Sequence, residues 1–355
     1  MFSMESEFYS LHNVAALEPA PGGGLYLRRF PREVHQALRA LGRMVWEESS
    51  GVEIRFVAED NAFHLSLDVE PFCLDQDGTY TYDVLIFRGD FFHSRRSVQV
   101  GKTNHITVND ISGALRHGIQ GISPAALEGC RFSPKVWRVF IGRFTASLVG
   151  LSTYGLPCRA PLSAELPAKR WLAYGSSITN GGSPTMHHLS YIYQAAHRLG
   201  VDVLNQGLSG SCRCEPEIAD YLASRQDWDI ITLELGVNMR NEFTPEEFGK
   251  RAEYLVQTIA CAHPAKPVVV ISIFPNADLP PAARDANGDL PLRQLAYREA
   301  LQRIVTETAG NVHFIDGADI LREFRGLTTD LLHPGDFGHI EMGQRLAEKL
   351  APLSG

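Results

Sequence analysis

The chain has no Cys-x-x-Cys pair, no Gly-x-x-x-x-Gly-Lys loop and no strict Gly-x-Ser-x-Gly elbow. These absences argue in turn against common zinc and thioredoxin-like spacings, against a P-loop phosphate cradle and against an ordinary α/β-hydrolase nucleophile. Gly207-Leu208-Ser209-Gly210-Ser211 comes near the elbow but ends in serine. No uncharged apolar run of about 18 residues occurs, so no membrane-spanning helix is expected. Residues 1–10 carry Glu5 and Glu7 and lack the apolar stretch of a secretory leader, so the expected location is cytoplasmic. Positive charge is also short. The 33 Lys and Arg stand against 41 Asp and Glu, a net charge of −8. Nucleic-acid binding needs a basic face, and that class of partner is excluded. The six cysteines are scattered, and Cys212-Arg213-Cys214, with one intervening residue, is poorly spaced for zinc. Free thiols are expected. His187-His188 is a poor chelate because neighbouring side chains do not face the same way, and no metal is expected.

What is present is an ordinary globular composition, 44% hydrophobic and 21% charged, over 355 residues. That length allows two domains. From about 51 to 150 the apolar residues alternate. Phe63, Leu65, Leu67 and Val69 interleave with His64, Ser66 and Asp68. Tyr82, Val84 and Ile86 repeat the pattern, as do Trp137, Val139 and Ile141. Period two means strands with one buried face, and several without intervening helices suggest an antiparallel β-sandwich or jelly roll. A short helix is expected over 31–44. His64, His105 and His117 fall in this half and read as surface or strand residues.

The texture changes after Pro161-Leu162-Ser163-Ala164. Strands are expected over 171–174, 201–204, 229–235, 267–273 and 312–315. Helices are expected over 190–199, 218–223, 245–262, 292–307 and 338–350. Strand alternating with helix argues for an α/β unit with a parallel sheet covered on both faces. The expected domains are therefore residues 1–165 and 166–355.

This layout sets four polar positions beyond the carboxyl ends of strands, the edge where open parallel sheets bind ligands. Ser177 follows the first strand, Gly207 the second, Asn238 the third, and His333 lies past the fifth. A hydroxyl nucleophile needs a base, and the base needs a group that fixes its tautomer. Ser177, Asp330 and His333 supply the three types in order. An imidazole can take the serine proton and return it to a leaving alcohol, and Asp330 lies about one helical turn before it. Gly207, through its backbone N–H, and Asn238, through its amide, read as oxyanion donors beside the Ser177 N–H. Read alone, each piece is bland: a cap serine, a tight-turn glycine, a loop asparagine, an exposed histidine before Pro334. Spacing leaves Ser176 open as the nucleophile, and Asp336 reads as the N-cap of the last helix.

Together the pieces resemble the SGNH, or GDSL-like, hydrolase superfamily. Gly175-Ser176-Ser177-Ile178 looks like its first block, with Ser177 at the nucleophile position. Asn205-Gln206-Gly207 looks like the second, Gly236-Val237-Asn238 the third, and Asp330-Leu331-Leu332-His333-Pro334 the last. The resemblance spans roughly 170–350. Ser176 replaces the Asp of the GDSL string, and Met239 the Asp that often follows the block-three Asn. Neither change removes a hydroxyl, a base or a donor. Tyr174-Gly175-Ser176-Ser177-Ile178-Thr179 after a β-rich half is similar to a subgroup holding carbohydrate acetyl-esterases and an acyltransferase branch. In it a jelly-roll-like domain precedes a flavodoxin-like, doubly wound hydrolase domain. The resemblance implies a serine carboxylic-ester hydrolase for short acyl esters, O-acetylated carbohydrates among them, with no cofactor. An acyltransferase using the same Ser-His-Asp site and a carbohydrate-binding protein with an inactive site are the alternatives. The expected partner is a small-molecule or carbohydrate ester substrate, and homo-oligomerisation stays open.

Overall fold

A computed structural model of the chain describes residues 6–58, 62–75, 78, 80–109, 123–278 and 289–353. The chain divides into two compact units, Met1–Pro31 with Trp46–Ala168, and Arg32–Val45 with Lys169–Gly355. His117, expected on a strand, lies outside the described residues.

Chain order begins with strands β1 (Ser10–His12), β2 (Ala16–Pro19) and β3 (Leu25–Arg28) and helices α1 (Arg32–Ala37) and α2 (Ala40–Trp46). It continues with β4 (Glu53–Ala58), β5 (Ala62–Glu70), β6 (Asp83–Arg88), β7 (Phe91–Ser97), β8 (Thr103–Asn109), β9 (Val136–Ile141), β10 (Thr145–Ser152) and β11 (Cys158–Arg159). The strands build two antiparallel sheets. One runs β1-β4-β9-β6-β7, with β11 also on β4, and the other runs β2-β3-β10-β5-β8. The alternating residues Phe63, Leu65, Leu67 and Val69 meet Val84, Ile86, Trp137, Val139 and Ile141 in one buried cluster. Each such side chain contributes roughly 1.5–3 kcal/mol on burial. The opposite face of β9 is not the solvated one that alternation suggests. Arg138 is buried there, and its Nε donates to Glu53 Oε2 at 2.8 Å. Burial alone would raise the Glu53 pKa, but Arg138 and Arg55 outweigh it and hold the carboxyl well below the usual range.

The short helix expected over 31–44 is instead two, α1 and α2, and that segment belongs to the second unit. Side chains explain it. Arg39 ion-pairs with Glu242 at 3.2 Å, and a Cβ on Gly42 would come within 2.7 Å of Ser211 Oγ.

The second unit continues with β12 (Arg170–Gly175), α3 (Ser177–Asn180), α4 (Tyr191–Leu199), β13 (Asp202–Gly207), α5 (Pro216–Ser224) and β14 (Ile230–Glu234). Then come α6 (Pro245–Ala262), β15 (Val268–Ile271), α7 (Asp289–Glu307), β16 (Val312–Ile315), α8 (Gly317–Ile320) and α9 (Asp336–Leu350). Its sheet is parallel throughout, in the order β13-β12-β14-β15-β16. Both faces are buried. Trp171 and Ala173 join one apolar cluster with Tyr191, Ile192, Met342 and Leu346 of α4 and α9. Leu172, Ile231, Leu233, Val268 and Val270 are buried on the other side. Sheet order reverses between β12, which leads to β13 on one side, and β14 on the other. A crevice at such a switch point is where open sheets place their ligand sites. Among the described residues, no helix is long and apolar enough to cross a membrane.

Candidate active site

Strand β12 ends at Gly175, and the chain turns at once into α3. Ser176 caps that turn: its Oγ accepts from the Ile178 N–H at 3.1 Å, and its own N–H donates to Glu234 Oε2 at 2.7 Å. Fully buried and committed to these bonds, Ser176 is a cap. Ser177, half-buried, is the serine whose hydroxyl emerges. Its Oγ lies 2.7 Å from His333 Nε2. Its N–H heads the turn and has no acceptor within the described residues, as expected for a first-turn donor.

His333 Nδ1 lies 2.6 Å from Asp330 Oδ2. The sequence suggested a helical spacing for this pair, but a tight loop closed by the Leu327–Pro334 bridge carries it, with Leu331 in the left-handed region at φ 53°. The loop exists to serve Asp330 Oδ1. That oxygen accepts from Thr328 Oγ1 at 2.8 Å and from the N–H groups of Leu332 and His333 at 2.9 Å each. Partial burial would raise the Asp330 pKa. The bonds from His333, Leu332 and Thr328 outweigh it and pull the group down to about 2. An ionised Asp330 only accepts, so Nδ1 carries the imidazole proton and Nε2 is left to accept from Ser177. That is the tautomer a general base needs.

Gly207 closes β13, tight against the turn that carries Ser177. A Cβ there would sit 2.3 Å from Asn180 N and 2.5 Å from its Cα, both backbone atoms that cannot swing aside. Gly207→Ala is therefore expected to cost about 1–3 kcal/mol, as overpacking does. Urea unfolding of the variant measures it, and an unchanged midpoint would contradict the fit. Sequence alone makes the Gly207 N–H an oxyanion donor. In the structure it already donates to Asn205 Oδ1 at 2.9 Å, because the buried Asn205 carboxamide folds back over the strand end. Asn205 Nδ2 in turn donates to Asn180 O at 3.2 Å, joining β13 to α3.

Asn238 follows β14 and is half-buried. Its Oδ1 accepts from the Cys212 N–H at 3.1 Å. A backbone N–H can bond only the oxygen of that amide, so the Nδ2 end is the one left to donate elsewhere. Asp336 is not the N-cap of the last helix. Gly335 is, and Asp336 opens α9, where its carboxylate accepts from Thr185 N and Thr185 Oγ1 at 2.7 Å each. His339 reinforces the same join, Nε2 lying 3.0 Å from Gly182 O and Nδ1 accepting from the Tyr191 N–H. These bonds pin the loop that follows α3.

Sequence reasoning missed Glu234, at the end of β14. It is fully buried and has no ion-pair partner among the described residues. Burial raises its pKa, the Ser176 and Thr179 hydrogen bonds lower it, and the group ends at about 7. The signal was weak: a lone glutamate in an apolar strand, Ile230-Ile231-Thr232-Leu233-Glu234.

Other candidates disperse. All six cysteines are free thiols. Burial pushes the Cys212 and Cys214 thiols up, which leaves them protonated and inert. Among the described residues no group of His, Cys, Asp and Glu could hold a metal. His64 and His105 lie on neighbouring strands and stack at 5.4 Å with Ser66 Oγ 2.9 Å from His105 Nδ1. His64 Nδ1 faces Thr107 Oγ1 rather than a carboxylate.

The family model described as GDSL-like Lipase/Acylhydrolase family matches residues 168–351. No curated protein matches the chain. Among solved structures, the salicylyl-acyltransferase SsfX3 from a tetracycline biosynthetic pathway is similar at TM-score 0.74 and 17% identity, covering 97% of this chain and 94% of that one. A Bacteroides ovatus protein classed as a GDSL-like lipase is similar at 0.69 and 20% identity, with 97% and 95% covered. A family two carbohydrate esterase from Cellvibrio japonicus is similar at 0.59 and 14% identity, with 98% and 96% covered. At these identities the likeness concerns fold, and it extends over both units.

Proposed function

Because the chain belongs to the GDSL-like lipase/acylhydrolase family, we propose that it is a serine carboxylic-ester hydrolase of short acyl esters with Ser177, His333 and Asp330 as its triad. The observation that carries this reading is the hydrogen-bonded line from Ser177 Oγ through the imidazole to Asp330. Ser177 Oγ attacks the acyl carbonyl carbon while His333 Nε2 takes the hydroxyl proton. The carbon–oxygen bond to the alcohol breaks as that proton passes to the leaving oxygen. Water then adds to the acyl-enzyme, giving a proton to His333. Collapse returns the proton to Ser177 Oγ and releases the acid. Asp330 holds the imidazole tautomer and steadies its cation.

The Ser177 N–H and Asn238 Nδ2 hold the oxyanion. The Gly207 N–H joins them by sharing its bond to Asn205. One such donor is worth about 3 kcal/mol in the transition state. Helix α3 is a single turn, so these are local N–H contacts rather than the pull of a long dipole. From its sheet order we read the second unit as a doubly wound, flavodoxin-like domain, and the first as a jelly-roll-like accessory domain.

For the alcohol side, an O-acetylated carbohydrate is favoured by the two-unit likeness to the Cellvibrio japonicus carbohydrate esterase. The likeness to the salicylyl-acyltransferase supports a second outcome from the same acyl-enzyme, transfer to an acceptor alcohol in place of water. A panel of p-nitrophenyl esters and acetylated sugars, with products analysed with and without acceptor alcohols, tests both. Acetate is expected to be turned over about tenfold or more faster than octanoate in kcat/KM. A preference for the long chain would overturn the short-acyl reading. A fluorophosphonate is expected to label Ser177, and failure to label would count against a charged triad.

A further inference from the structure

Glu234 is a fully buried carboxylate in the middle of the nucleophile's support, yet none of the steps above uses it. Its Oε2 accepts from the Ser176 N–H at 2.7 Å and from Thr179 Oγ1 at 3.1 Å. Both donors lie on the one-turn segment that carries Ser177. Because Thr179 donates to Glu234, the Tyr191 hydroxyl, 2.6 Å away, must donate to Thr179. The chain of bonds thus runs from α4 through α3 to the end of β14. Gly175 leaves the room for it: a Cβ there would meet Thr179 Oγ1 at 2.3 Å and Glu234 Oε2 at 2.7 Å. The backbone of the same residue reaches the other half of the site. Glu234 O accepts from Cys212 Sγ at 3.6 Å, and the Cys212 N–H orients the Asn238 amide.

We infer that Glu234 is a positioning residue for the esterase reaction, its carboxylate clamping the Ser176 amide and the Thr179 hydroxyl so that Ser177 and Asn238 stay in register. This rests on the proposed function above. A four-residue helix cannot hold itself in place, since too few bonds repay its ordering. The clamp supplies the missing restraint. A displacement of about 1 Å between reacting groups costs on the order of 100-fold in rate.

The clamp depends on ionisation. A carboxylate accepts both bonds strongly, whereas a carboxylic acid is the poorer acceptor. The groups that face Glu234 are Tyr191 on α4 and Cys212 and Cys214 on the loop after β13, and burial pushes all three up, so they stay neutral. These three do not titrate where Glu234 does, at about pH 7, and Glu215, which burial also raises, lies beside Cys212 and Cys214. On the acid side, protonation of Glu234 loosens the turn. That loss gives the wild type a fall in log kcat/KM towards low pH that a residue 234 unable to titrate does not share.

Two variants separate clamp from filler. Glu234→Gln keeps an oxygen for both donors but cannot titrate. It is expected to hold activity within about threefold of the wild type at pH 8 and to fall less steeply than the wild type on the acid side. Glu234→Ala removes the acceptor and is expected to lower kcat about 30- to 100-fold, with KM within threefold. Thermal melting provides the folding control, and its sign is fixed. The unfolded chain releases this proton near the ordinary 4.5 while the folded chain keeps it to about 7. Stability from this group therefore falls as pH rises across that window and is level above it. Glu234→Gln lacks that fall, so above pH 7 its melting temperature should be at or above the wild-type value. An acid limb in Glu234→Gln that superimposes on that of the wild type, or a Glu234→Ala variant with wild-type kcat, overturns the inference while leaving the triad intact. A wild-type chain that hydrolyses no ester overturns the triad, and this role with it.

Discussion

Ser177→Ala is expected to lower kcat on p-nitrophenyl acetate by about 10⁵- to 10⁶-fold, the scale lost when the nucleophile of a serine hydrolase is removed. The size follows from the geometry. The hydroxyl lies 2.7 Å from the only imidazole that an ionised carboxylate orients within the described site, and no second nucleophile stands in its place. Ser176 is buried with its oxygen occupied as a cap, and the Cys212 and Cys214 thiols are held protonated by burial. Residual activity of about 10³- to 10⁴-fold over water should survive, because the Ser177 N–H and the Asn238 amide do not depend on the Ser177 side chain. The contrast with Ser176→Ala sharpens the test. That variant loses a cap worth about 1 kcal/mol of stability but keeps the nucleophile. Steady-state kinetics of the two variants, with active-site titration to exclude wild-type contamination, decide the assignment. A Ser177→Ala enzyme within tenfold of wild type would falsify it.

Much of the architecture is legible in the sequence because it is carried by period. Alternation at Phe63, Leu65, Leu67 and Val69 needs only a strand with one buried face, and those residues are buried. The alternation of strand and helix from Arg170 onward likewise follows from local pattern and length. What the sequence hides depends on which strands become neighbours. Glu234 reads as an isolated charge in an apolar strand until β14 is set beside β12, which brings it under the Ser176 N–H. Arg138 reads as a solvated strand residue until β9 pairs with β4 and delivers Glu53. The amide of Gly207 reads as an open donor until the Asn205 side chain, two residues back, is seen to claim it. Asp336 reads as a cap because caps are common, yet its carboxylate is spent on Thr185, 151 positions away. In each case the deciding partner is remote or is chosen by a side-chain rotation, and neither leaves a mark in residue spacing.

Asp330→Asn is expected to lower kcat by about 10⁴-fold while leaving the fold nearly as stable as before, and the reason lies in the three bonds at Oδ1. Thr328 Oγ1, Leu332 N and His333 N all donate to that oxygen. An asparagine must therefore place its carbonyl there, since an NH₂ group would face three donors. Its NH₂ is then forced into the position of Oδ2, facing His333 Nδ1. A donor at that point requires Nδ1 to accept, which moves the imidazole proton to Nε2, where it points at Ser177 Oγ. The base is now a donor, and the serine proton has nowhere to go. The same inversion of tautomer costs about 10⁴-fold in a serine protease triad. The loop keeps its hydrogen bonds and loses only the charge that the lowered Asp330 pKa shows it favours, so thermal melting should fall by only about a few degrees, too little for the loss to be ascribed to unfolding. Nitrogen NMR of His333 reads the cause directly: Nδ1–H in the wild type, Nε2–H in the variant. Asp330 itself stays ionised down to about pH 2, so its own titration leaves activity near neutrality untouched. An Asp330→Asn enzyme that keeps Nδ1–H and most of its rate would show that the carboxylate orients nothing.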